Sequence, residues 1–246
     1  MKNIVLAAGY ATRMYPLTEN FPKPLLAIGD STILDKMLKD VDAMPCVDEH
    51  IIVTNHKFYH IFEEWAAKAQ EEARYAKPIK LVDDGSTNND NRIGAVGDLI
   101  LALKTYDVQD DILVAAADNL LDFSLTSLID FFQQAGSSVI FYYHELDPAR
   151  LRKCGVAELA ADGRVLSMEE KPAEPKSDCA VPPFYVYSKE DLPRILSAID
   201  NGCRYDAPGN LAKHISEVSV LHAKEMPGKR IDIGSLDNYL ALKDGK

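Results

Sequence analysis

The chain has 246 residues, 47% of them hydrophobic, so it is long enough to bury a sizeable core and to fold as one large domain. Its 38 acidic residues outnumber 27 basic ones, for a formal net charge of −11, and an acidic surface disfavours nucleic acid and anionic membranes as partners. No apolar run approaches the roughly 20 residues of a membrane helix. The four cysteines form no Cys-x-x-Cys pair, so we expect a reduced, cytoplasmic protein without disulfides.

Apolar strands and helical patterns alternate through the first half of the chain. Short apolar runs predict strands at residues 3–8, 49–55, 79–83 and 111–117, and helical spacing predicts helices at 33–44, 58–74, 94–106 and 125–135. Such alternation implies right-handed crossovers and an α/β fold, Rossmann-like, with a mixed, mainly parallel sheet flanked by helices. Ligands of such sheets bind beyond the carboxyl ends of the strands.

The pattern changes near residue 145, where strands begin to follow one another. We predict strands at residues 137–145, 155–159, 165–171, 180–187, 218–223 and 230–233, with a hairpin turn at 161–164. Helices are predicted at 189–199 and 207–216, and a last one from residue 235. We interpret the whole chain, 1–246, as a single domain with halves at 1–145 and 146–246.

The first strand runs into a loop that carries two cations. Gly9 follows the strand directly, and Thr12, Arg13 and Lys23 lie beyond it. A glycine here lets the backbone approach a ligand closely, and the amides that follow can face phosphate oxygens. The alternative is an ordinary surface loop with solvated charges. The loop is not a Walker motif, because no Gly-x-x-x-x-Gly-Lys-[Ser/Thr] occurs.

Two aspartates stand where a metal ion could bind. Asp118 directly follows the apolar strand at 111–117, and the carboxyl end of a central strand suits a hard cation such as Mg²⁺. A turn or a helix cap is the alternative role, although Asp122 and Ser124 compete for the cap. Asp232 is flanked by isoleucines on a predicted strand, so we expect a buried carboxylate with a metal or a hydrogen-bond partner.

Glu170 and Lys171 end another strand, just before Pro172. Alternation predicts Glu170 on the same face as Leu166 and Met168, with Lys171 on the opposite face. Pro172 ends the ladder and leaves the lysine near the sheet edge. A solvated strand end is the alternative interpretation.

His56 and His60 stand four residues apart, a spacing that can bind a metal ion. No glutamate follows His56, so we do not predict a zinc site there. No Ser/His/Asp or Cys/His arrangement is evident either.

Several of these motifs together resemble one enzyme family. The sequence L-A-A-G-Y-A-T-R-M-Y-P-L-T-x-x-x-P-K-P-L at residues 6–25 resembles the signature of sugar-phosphate nucleotidyltransferases. The D-N at 118–119, E-E-K-P at 169–172, D-A-P-G at 206–209 and D-I-G at 232–234 resemble further motifs of that family, in the same order. The resemblance implies the nucleotide-diphospho-sugar transferase (GT-A-like) fold, with residues 1–145 binding the nucleotide and 146–246 the sugar phosphate.

The resemblance also implies roles for individual residues. Some residues are expected to contact the nucleotide through backbone groups or at its triphosphate, and the segment 83–97 is expected to cover the base. These residues are Ala8, Gly9, Thr12, Arg13, Lys23, Asp84, Gly85 and Gly94. Those expected at the sugar phosphate are Gly155, Glu170, Lys171 and Tyr185. Arg13, Lys23 and Asp118 would be catalytic, with Lys23 at the reacting α-phosphate. Asp118 and Asp232 would hold Mg²⁺.

Three segments depart from the family pattern. Ala11 stands where the family usually has a second glycine, Pro182 and Pro183 replace a glycine-containing stretch beside the sugar, and residues 88–97 differ from the usual base-binding segment. These departures leave the choice of nucleotide and of sugar open.

The resemblance implies an enzyme that condenses a nucleoside triphosphate with a sugar 1-phosphate, as a monomer or homodimer. A cytidylyltransferase acting on a non-sugar phosphate such as phosphocholine is the alternative. A glycosyltransferase is disfavoured because the strand ends in Asp118-Asn119 instead of Asp-x-Asp. A catalytically silent nucleotide sensor is the remaining hypothesis, and the intact charged residues argue against it.

Overall fold

The computed structural model describes residues 1–243. The strands are β1 (Lys2–Leu6), β2 (Ala27–Ile28), β3 (Ser31–Thr32), β4 (Glu49–Thr54), β5 (Ile79–Asp83), β6 (Ile112–Ala116), β7 (Asn119–Leu121), β8 (Ser138–His144), β9 (Gly155–Leu159), β10 (Val165–Glu170), β11 (Cys179–Val181), β12 (Phe184–Tyr187), β13 (Leu221–Glu225) and β14 (Arg230–Asp232). The helices are α1 (Ile33–Asp42), α2 (Tyr59–Glu71), α3 (Gly94–Thr105), α4 (Thr126–Ala135), α5 (Pro148–Leu151), α6 (Leu192–Leu196), α7 (Pro208–Val218) and α8 (Leu236–Lys243). Short 3-10 helices lie at Thr12–Met14, Lys23–Leu25 and Lys189–Asp191.

One mixed sheet runs through both halves of the chain. Its strands follow the order β10-β9-β11-β8-β12-β6-β1-β4-β5, with β13 paired to β8. The pairs β6–β1, β1–β4 and β4–β5 are parallel, whereas β12 joins β6 in the antiparallel sense. The predicted α/β fold, with a sheet that is parallel in its first half, is confirmed.

The central strands are buried on both faces. Ile4 and Val5, neighbours on β1, are both fully buried and belong to separate apolar clusters. One cluster packs α3 and α7 on the sheet, and the other packs α1, α2 and α4 on the opposite face. Continuous apolar sequence, as in β1, is what a doubly covered parallel strand requires.

The sheet forks at Pro182 and Pro183. The strand predicted over 180–187 is two strands: β11 pairs with β9 and β8, whereas β12 pairs with β6 and β8. The prediction of one continuous strand is therefore wrong. Prolines have no backbone N–H to donate to a ladder, so the chain changes partner at this point. The fork opens beside the carboxyl end of β6, where the Ala116 N–H donates to the Pro183 carbonyl at 3.2 Å.

Two further sequence predictions are wrong in detail. The helix predicted over 189–199 is the 3-10 turn Lys189–Asp191 followed by the short α6. A β-bulge between Val165 and Ser167 interrupts the alternation of β10, so Leu166 is exposed while Met168 is buried. The short strands β2, β3 and β7 and the helix α5 were not predicted, because two to four residues carry too little periodicity to detect.

None of the helices between residues 1 and 243 combines the length and apolarity that crossing a membrane requires.

Candidate active site

A cleft of about 500 Å³ opens at the fork, beyond the carboxyl ends of β1 and β6. It collects nearly all the residues singled out in the sequence: Ala8, Gly9, Thr12, Arg13, Lys23, Asp84, Gly94, Asp118, Gly155, Glu170, Lys171, Tyr185 and Asp232. Gly85 is the exception. It has φ +74°, lies exposed outside the cleft lining, and donates its N–H to Asp83 Oδ1 at 2.8 Å, so its role is that of a turn residue.

The loop after β1 bends into the cleft through a left-handed residue. Ala11 has φ 47°, a conformation that favours glycine, and its carbonyl accepts a hydrogen bond from Thr18 Oγ1 at 2.9 Å. The residues that follow form the 3-10 turn that carries Thr12 and Arg13, both exposed. On the other side of the bend, the Ala8 carbonyl is held by Asn55 Nδ2 at 3.0 Å. The bend therefore presents backbone groups and one arginine to the cleft.

Lys23 and Asp118 form an ion pair in the cleft. Lys23 Nζ lies 2.8 Å from Asp118 Oδ2, and the side chains are 8% and 39% exposed, respectively. Asn119 Nδ2 donates to the other carboxylate oxygen of Asp118 at 2.7 Å. A lysine this buried requires a counter-charge, because an unpaired ammonium in the interior is strongly destabilising. Two residues that are 95 positions apart in sequence are thus a single electrostatic unit.

Asp232 lies beside Asp118 on a separate two-stranded ladder. β14 pairs with β7 so that Asp232 faces Asn119 in register, and the Ile233 N–H donates to the Asp118 carbonyl at 3.2 Å. The expectation that Asp232 is buried is wrong: it is exposed to the cleft, and Ile231 is 44% exposed. The reason is that β14 belongs to a small surface ladder and not to the main sheet.

Glu170 occupies a recess that two glycines make possible. A Cβ at Gly209 would overlap Glu170 Oε2 and come within 3.0 Å of its Cδ, and a Cβ at Gly155 would lie 3.2 Å from the same oxygen. Burial raises the pKa of Glu170, the Lys171 ammonium 3.6 Å away opposes that rise, and Asp206 adds to it. Gly209 closes the D-A-P-G motif at 206–209, so the sequence did contain a signal for it.

Lys171 leaves the sheet in a left-handed turn. Its φ is 51°, its N–H donates to the Cys154 carbonyl at 3.0 Å, and its side chain is exposed at the cleft. Pro172 follows, as the predicted end of the ladder requires. The lysine therefore reaches into the cleft from outside the strand.

Several cleft residues were not singled out from the sequence, among them Asp98, Lys153 and Arg230. Asn89, Arg92 and Asp206 lie within the segments 83–97 and 206–209 but had no individual role. Arg230 is held by Asn119 Oδ1 at 2.7 Å, and its guanidinium lies 5.7 Å from the centre of the Tyr143 ring. Strand alternation places Arg230 on the same face as Asp232, so that signal was available. Asn89 and Arg92 carry no periodic signal because they lie on an irregular loop.

The end of the cleft beside β5 and α3 contains two buried acids. Asp84 is 9% exposed and Asp98 is 5% exposed. Burial raises the pKa of both carboxyls, and together with the charge of Asp84 it brings that of Asp98 to about 8. Gly94, at the start of α3, has φ +79°, and a side chain there would collide with Tyr205.

The histidine pair lies away from the cleft. His56 Nδ1 is 2.6 Å from Asp83 Oδ2, and both His56 and His60 are exposed. Within residues 1–243, one group of three side chains lies close enough together to bind a metal ion. It consists of His144 on β8 and of Asp178 and Cys179 at β11. Only the fold brings these three together, so sequence spacing could not reveal them.

Comparison with known proteins identifies a family for this chain. Residues 2–244 match the model of a family described as Nucleotidyl transferase. A glucose-1-phosphate thymidylyltransferase from Streptomyces antibioticus is 29% identical over 190 residues, 76% of this chain and 49% of the relative. Another glucose-1-phosphate thymidylyltransferase, from Mycobacterium tuberculosis, is 28% identical over 261 residues, 99% of this chain and 81% of the relative.

The fold is shared with a solved structure. A UDP-glucose pyrophosphorylase complexed with UDP-glucose superposes with a TM-score of 0.81 at 20% identity, over 99% of this chain and 97% of that chain. This chain spans about half the length of the Streptomyces relative. Because the family model covers residues 2–244, the chain belongs to the nucleotidyl transferase family.

Proposed function

We propose that the chain transfers a nucleotidyl group from a nucleoside triphosphate to a sugar 1-phosphate, giving a nucleoside diphosphate sugar and pyrophosphate. One observation carries the proposal: a single cleft holds the cations and carboxylates that this reaction needs, Arg13, Lys23, Asp118, Lys171 and Asp232. The thymidylyltransferase relatives are named for sugar 1-phosphates, which supports this acceptor class over phosphocholine.

The chemistry needs charge neutralisation more than proton transfer. An oxygen of the sugar phosphate attacks the α-phosphorus, the new O–P bond forms, and the bond to the β-phosphate oxygen breaks to release pyrophosphate. The second pKa of a phosphate ester is about 6, so the nucleophile is already ionised at neutral pH and requires no general base. The barrier comes from bringing two polyanions together in line, which fixed cations lower.

On the nucleotide side, Ala8, Gly9 and Thr12 would contact the nucleotide, and Arg13 would bind the triphosphate through its planar donor fork. Lys23 would bind the α-phosphate. Its three N–H donors allow it to keep the contact with Asp118 while another donor reaches phosphate. The ion pair then orients the lysine within the cleft.

The residues present fit a divalent cation. Asp118 and Asp232 offer two carboxylates at the cleft, and Mg²⁺ is typically held by one or two carboxylates together with substrate phosphates and water. A bound Mg²⁺ would supply Lewis-acid neutralisation of the triphosphate charge. Asp118 and Asp232 would hold it, and Asn119 would fix the orientation of Asp118.

On the acceptor side, the buried Glu170 would hold sugar hydroxyls and Lys171 the sugar phosphate. Gly155 lies in register between Glu170 and Val181, where its bare backbone can face the sugar. Tyr185 is fully buried beneath this end of the cleft and would form its floor. For the base, Asp84 and Gly94 lie at the cleft together with Asn89, Arg92 and Ala95 of the segment 83–97, and Gly85 is not part of the proposed site.

A pyrophosphate-release screen tests the proposal. ATP, GTP, CTP, UTP and dTTP, each with Mg²⁺, are crossed with a panel of hexose 1-phosphates and with phosphocholine. We expect pyrophosphate only with a sugar 1-phosphate present. Release with phosphocholine alone would support the cytidylyltransferase instead, and no release with any pair would support a catalytically silent nucleotide-binding protein.

A further inference from the structure

Two carboxyl groups lie together at the nucleotide end of the cleft, and phosphoryl chemistry uses neither. Asp84 follows β5 directly and Asp98 lies near the start of α3; both line the cleft and both are more than nine-tenths buried. Burying two acids side by side opposes folding, because each charge loses hydration and repels the other. A contact with a ligand would offset that penalty.

Asp84 has hydrogen-bond donors on both carboxylate oxygens, whereas Asp98 Oδ1 has none within residues 1–243. Asp84 Oδ1 accepts the Ser86 N–H at 2.7 Å, and Asp84 Oδ2 accepts the Ser86 hydroxyl at 2.9 Å. Asp98 Oδ1 is shielded from solvent, and no N–H or O–H donor within residues 1–243 reaches it. Arg92 is the cation that acts on Asp98, but its side chain is exposed and contacts Asn89 at 3.3 Å. Asp98 Oδ1 is therefore a buried carboxyl oxygen without a hydrogen-bond donor among the described residues, on a side chain that lines the cleft.

The protonation of the pair determines what it can recognise. Burial, and next the charge of Asp84, raise the pKa of Asp98 to about 8, so Asp98 is largely protonated at neutral pH. Its proton is directed to Asp84, which is the neighbouring acceptor. With that proton held between the two carboxyls, the remaining lone pairs offer hydrogen-bond acceptors and one negative charge.

Such a surface discriminates among nucleobases. Guanine carries two adjacent donors, the N1–H and the 2-amino group, which a carboxylate accepts together. Uracil and thymine place carbonyl oxygens on both sides of their single N–H, and those oxygens are repelled by carboxyl acceptors. Adenine and cytosine offer one amino group beside a ring nitrogen acceptor. Two matched hydrogen bonds to a base edge discriminate by about 1–3 kcal/mol, which is a factor of roughly 5 to 150.

We infer that Asp84 and Asp98 form the base-selecting site of this cleft and that it selects guanine, so that GTP is the nucleotide substrate. The inference rests on the proposed function for the placement of a nucleotide in the cleft. Asp84 and Asp98 act as specificity residues and take no part in the transfer itself.

Equilibrium binding separates this inference from the proposed function, because it needs no acceptor and no turnover. Binding of GTP, UTP, dTTP, CTP and ATP, each with Mg²⁺, is measured by calorimetry on the full chain and on Asp84→Asn and Asp98→Asn. Asp84 carries the negative charge of the pair, so the amide of Asp84→Asn presents an N–H₂ donor where a carboxylate presented an acceptor, and we expect this variant to lose GTP affinity and to gain relative affinity for UTP and dTTP. The amide of Asp98→Asn reproduces the neutral acid, with an oxygen that accepts and a donor toward Asp84, so this variant should keep the GTP preference. Asp130→Asn is the matched control, since Asp130 is exposed on α4 and lies outside the cleft.

Asp98→Leu distinguishes recognition from a purely structural role. Removing an unpartnered buried acid should leave the melting temperature unchanged or higher, while the GTP preference falls about tenfold or more. Wild-type binding that favours any other nucleotide, or a GTP preference that survives in Asp84→Asn and in Asp98→Leu, would overturn the inference while leaving the proposed function intact. If none of the five nucleotides binds, both the proposed function and this inference are contradicted.

Discussion

At the scale of single residues, Gly209 shows how a side chain that is absent shapes the cleft. An alanine there would overlap the carboxylate of Glu170, which lies partly buried at the wall of the cleft. We expect Gly209→Ala to displace Glu170 and to lower kcat/KM for the sugar phosphate about 10- to 100-fold, since displacements near 1 Å have such effects. Steady-state kinetics with each substrate varied in turn measures this.

A second-site change supplies the control for Gly209. Glu170→Asp shortens the acid by one methylene and makes room for the added methyl group. The fold-decrease in kcat/KM of the double variant Gly209→Ala/Glu170→Asp should therefore be smaller than the product of the fold-decreases of the two single variants. Purely multiplicative losses would show that the two residues do not act through this contact.

Lys171 gives a second prediction at this scale. Its side chain projects into the cleft from a left-handed turn and has only Glu170 as a carboxylate partner within residues 1–243. Lys171→Ala should raise KM for the sugar 1-phosphate about tenfold or more and leave KM for the nucleotide nearly unchanged. Lys176→Ala is the matched control, because Lys176 is exposed, pairs with Glu169 at 2.8 Å and lies outside the cleft. A change confined to nucleotide KM would reassign Lys171.

At the scale of elements, the loop after β1 depends on the left-handed Ala11. A non-glycine residue in this conformation is strained by about 1–2 kcal/mol, whereas glycine increases the entropy of the unfolded chain by about 0.4–1 kcal/mol. Ala11→Gly should therefore raise the free energy of unfolding by up to about 1 kcal/mol. Because the loop lines the cleft, it should also change KM for the nucleotide.

Ala73 is a control at matched geometry. Its φ is 48°, close to the 47° of Ala11, but it follows α2 outside the cleft. Ala73→Gly should change stability to the same extent with no effect on nucleotide KM. Equal kinetic effects from both variants would show that the loop conformation is irrelevant to binding.

The elements also show what sequence can and cannot predict. Long strands and helices with clear periodicity, such as β4 and α3, lie where the pattern places them. The ladder of β7 and β14 was half missed because three residues give no period, and the fork at Pro182 depends on pairing partners distant in sequence. Motif order predicted many of the cleft residues, whereas Asp98 became visible only once the fold had placed it beside Asp84.

At the scale of the whole molecule, Asp98 links the cleft to stability. The pKa of Asp98 in the folded state, about 8, lies above the 3.8 of a free carboxyl, so the folded state binds more protons between these two pH values. Stability from this group is therefore greatest at low pH and is lost as pH rises toward 8. Asp98→Asn removes this effect. The melting temperature of the variant should therefore rise relative to that of wild type as the pH is raised from 5 to 8.

The size of this effect has an upper limit. One proton contributes a slope of at most about 1.4 kcal/mol per pH unit. Asp200→Asn is the control, since Asp200 is exposed and outside the cleft, and its difference from wild type should not vary with pH in this range. A difference between Asp98→Asn and wild type that is flat or shrinks from pH 5 to pH 8 would contradict the raised pKa.

The central claim is that this cleft joins a nucleotide to a sugar phosphate through Lys23 and Asp118. Phosphorus NMR of the full chain with Mg²⁺, a nucleoside triphosphate and a sugar 1-phosphate tests it directly. We predict that pyrophosphate and a sugar–nucleotide diphosphate appear together in equal amounts. Lys23→Ala and Asp118→Ala should each lower that rate about 100-fold or more, while Lys39→Ala, on the exposed face of α1, should not. Formation of nucleoside diphosphate and phosphate instead, or full activity in Lys23→Ala and Asp118→Ala, would contradict it.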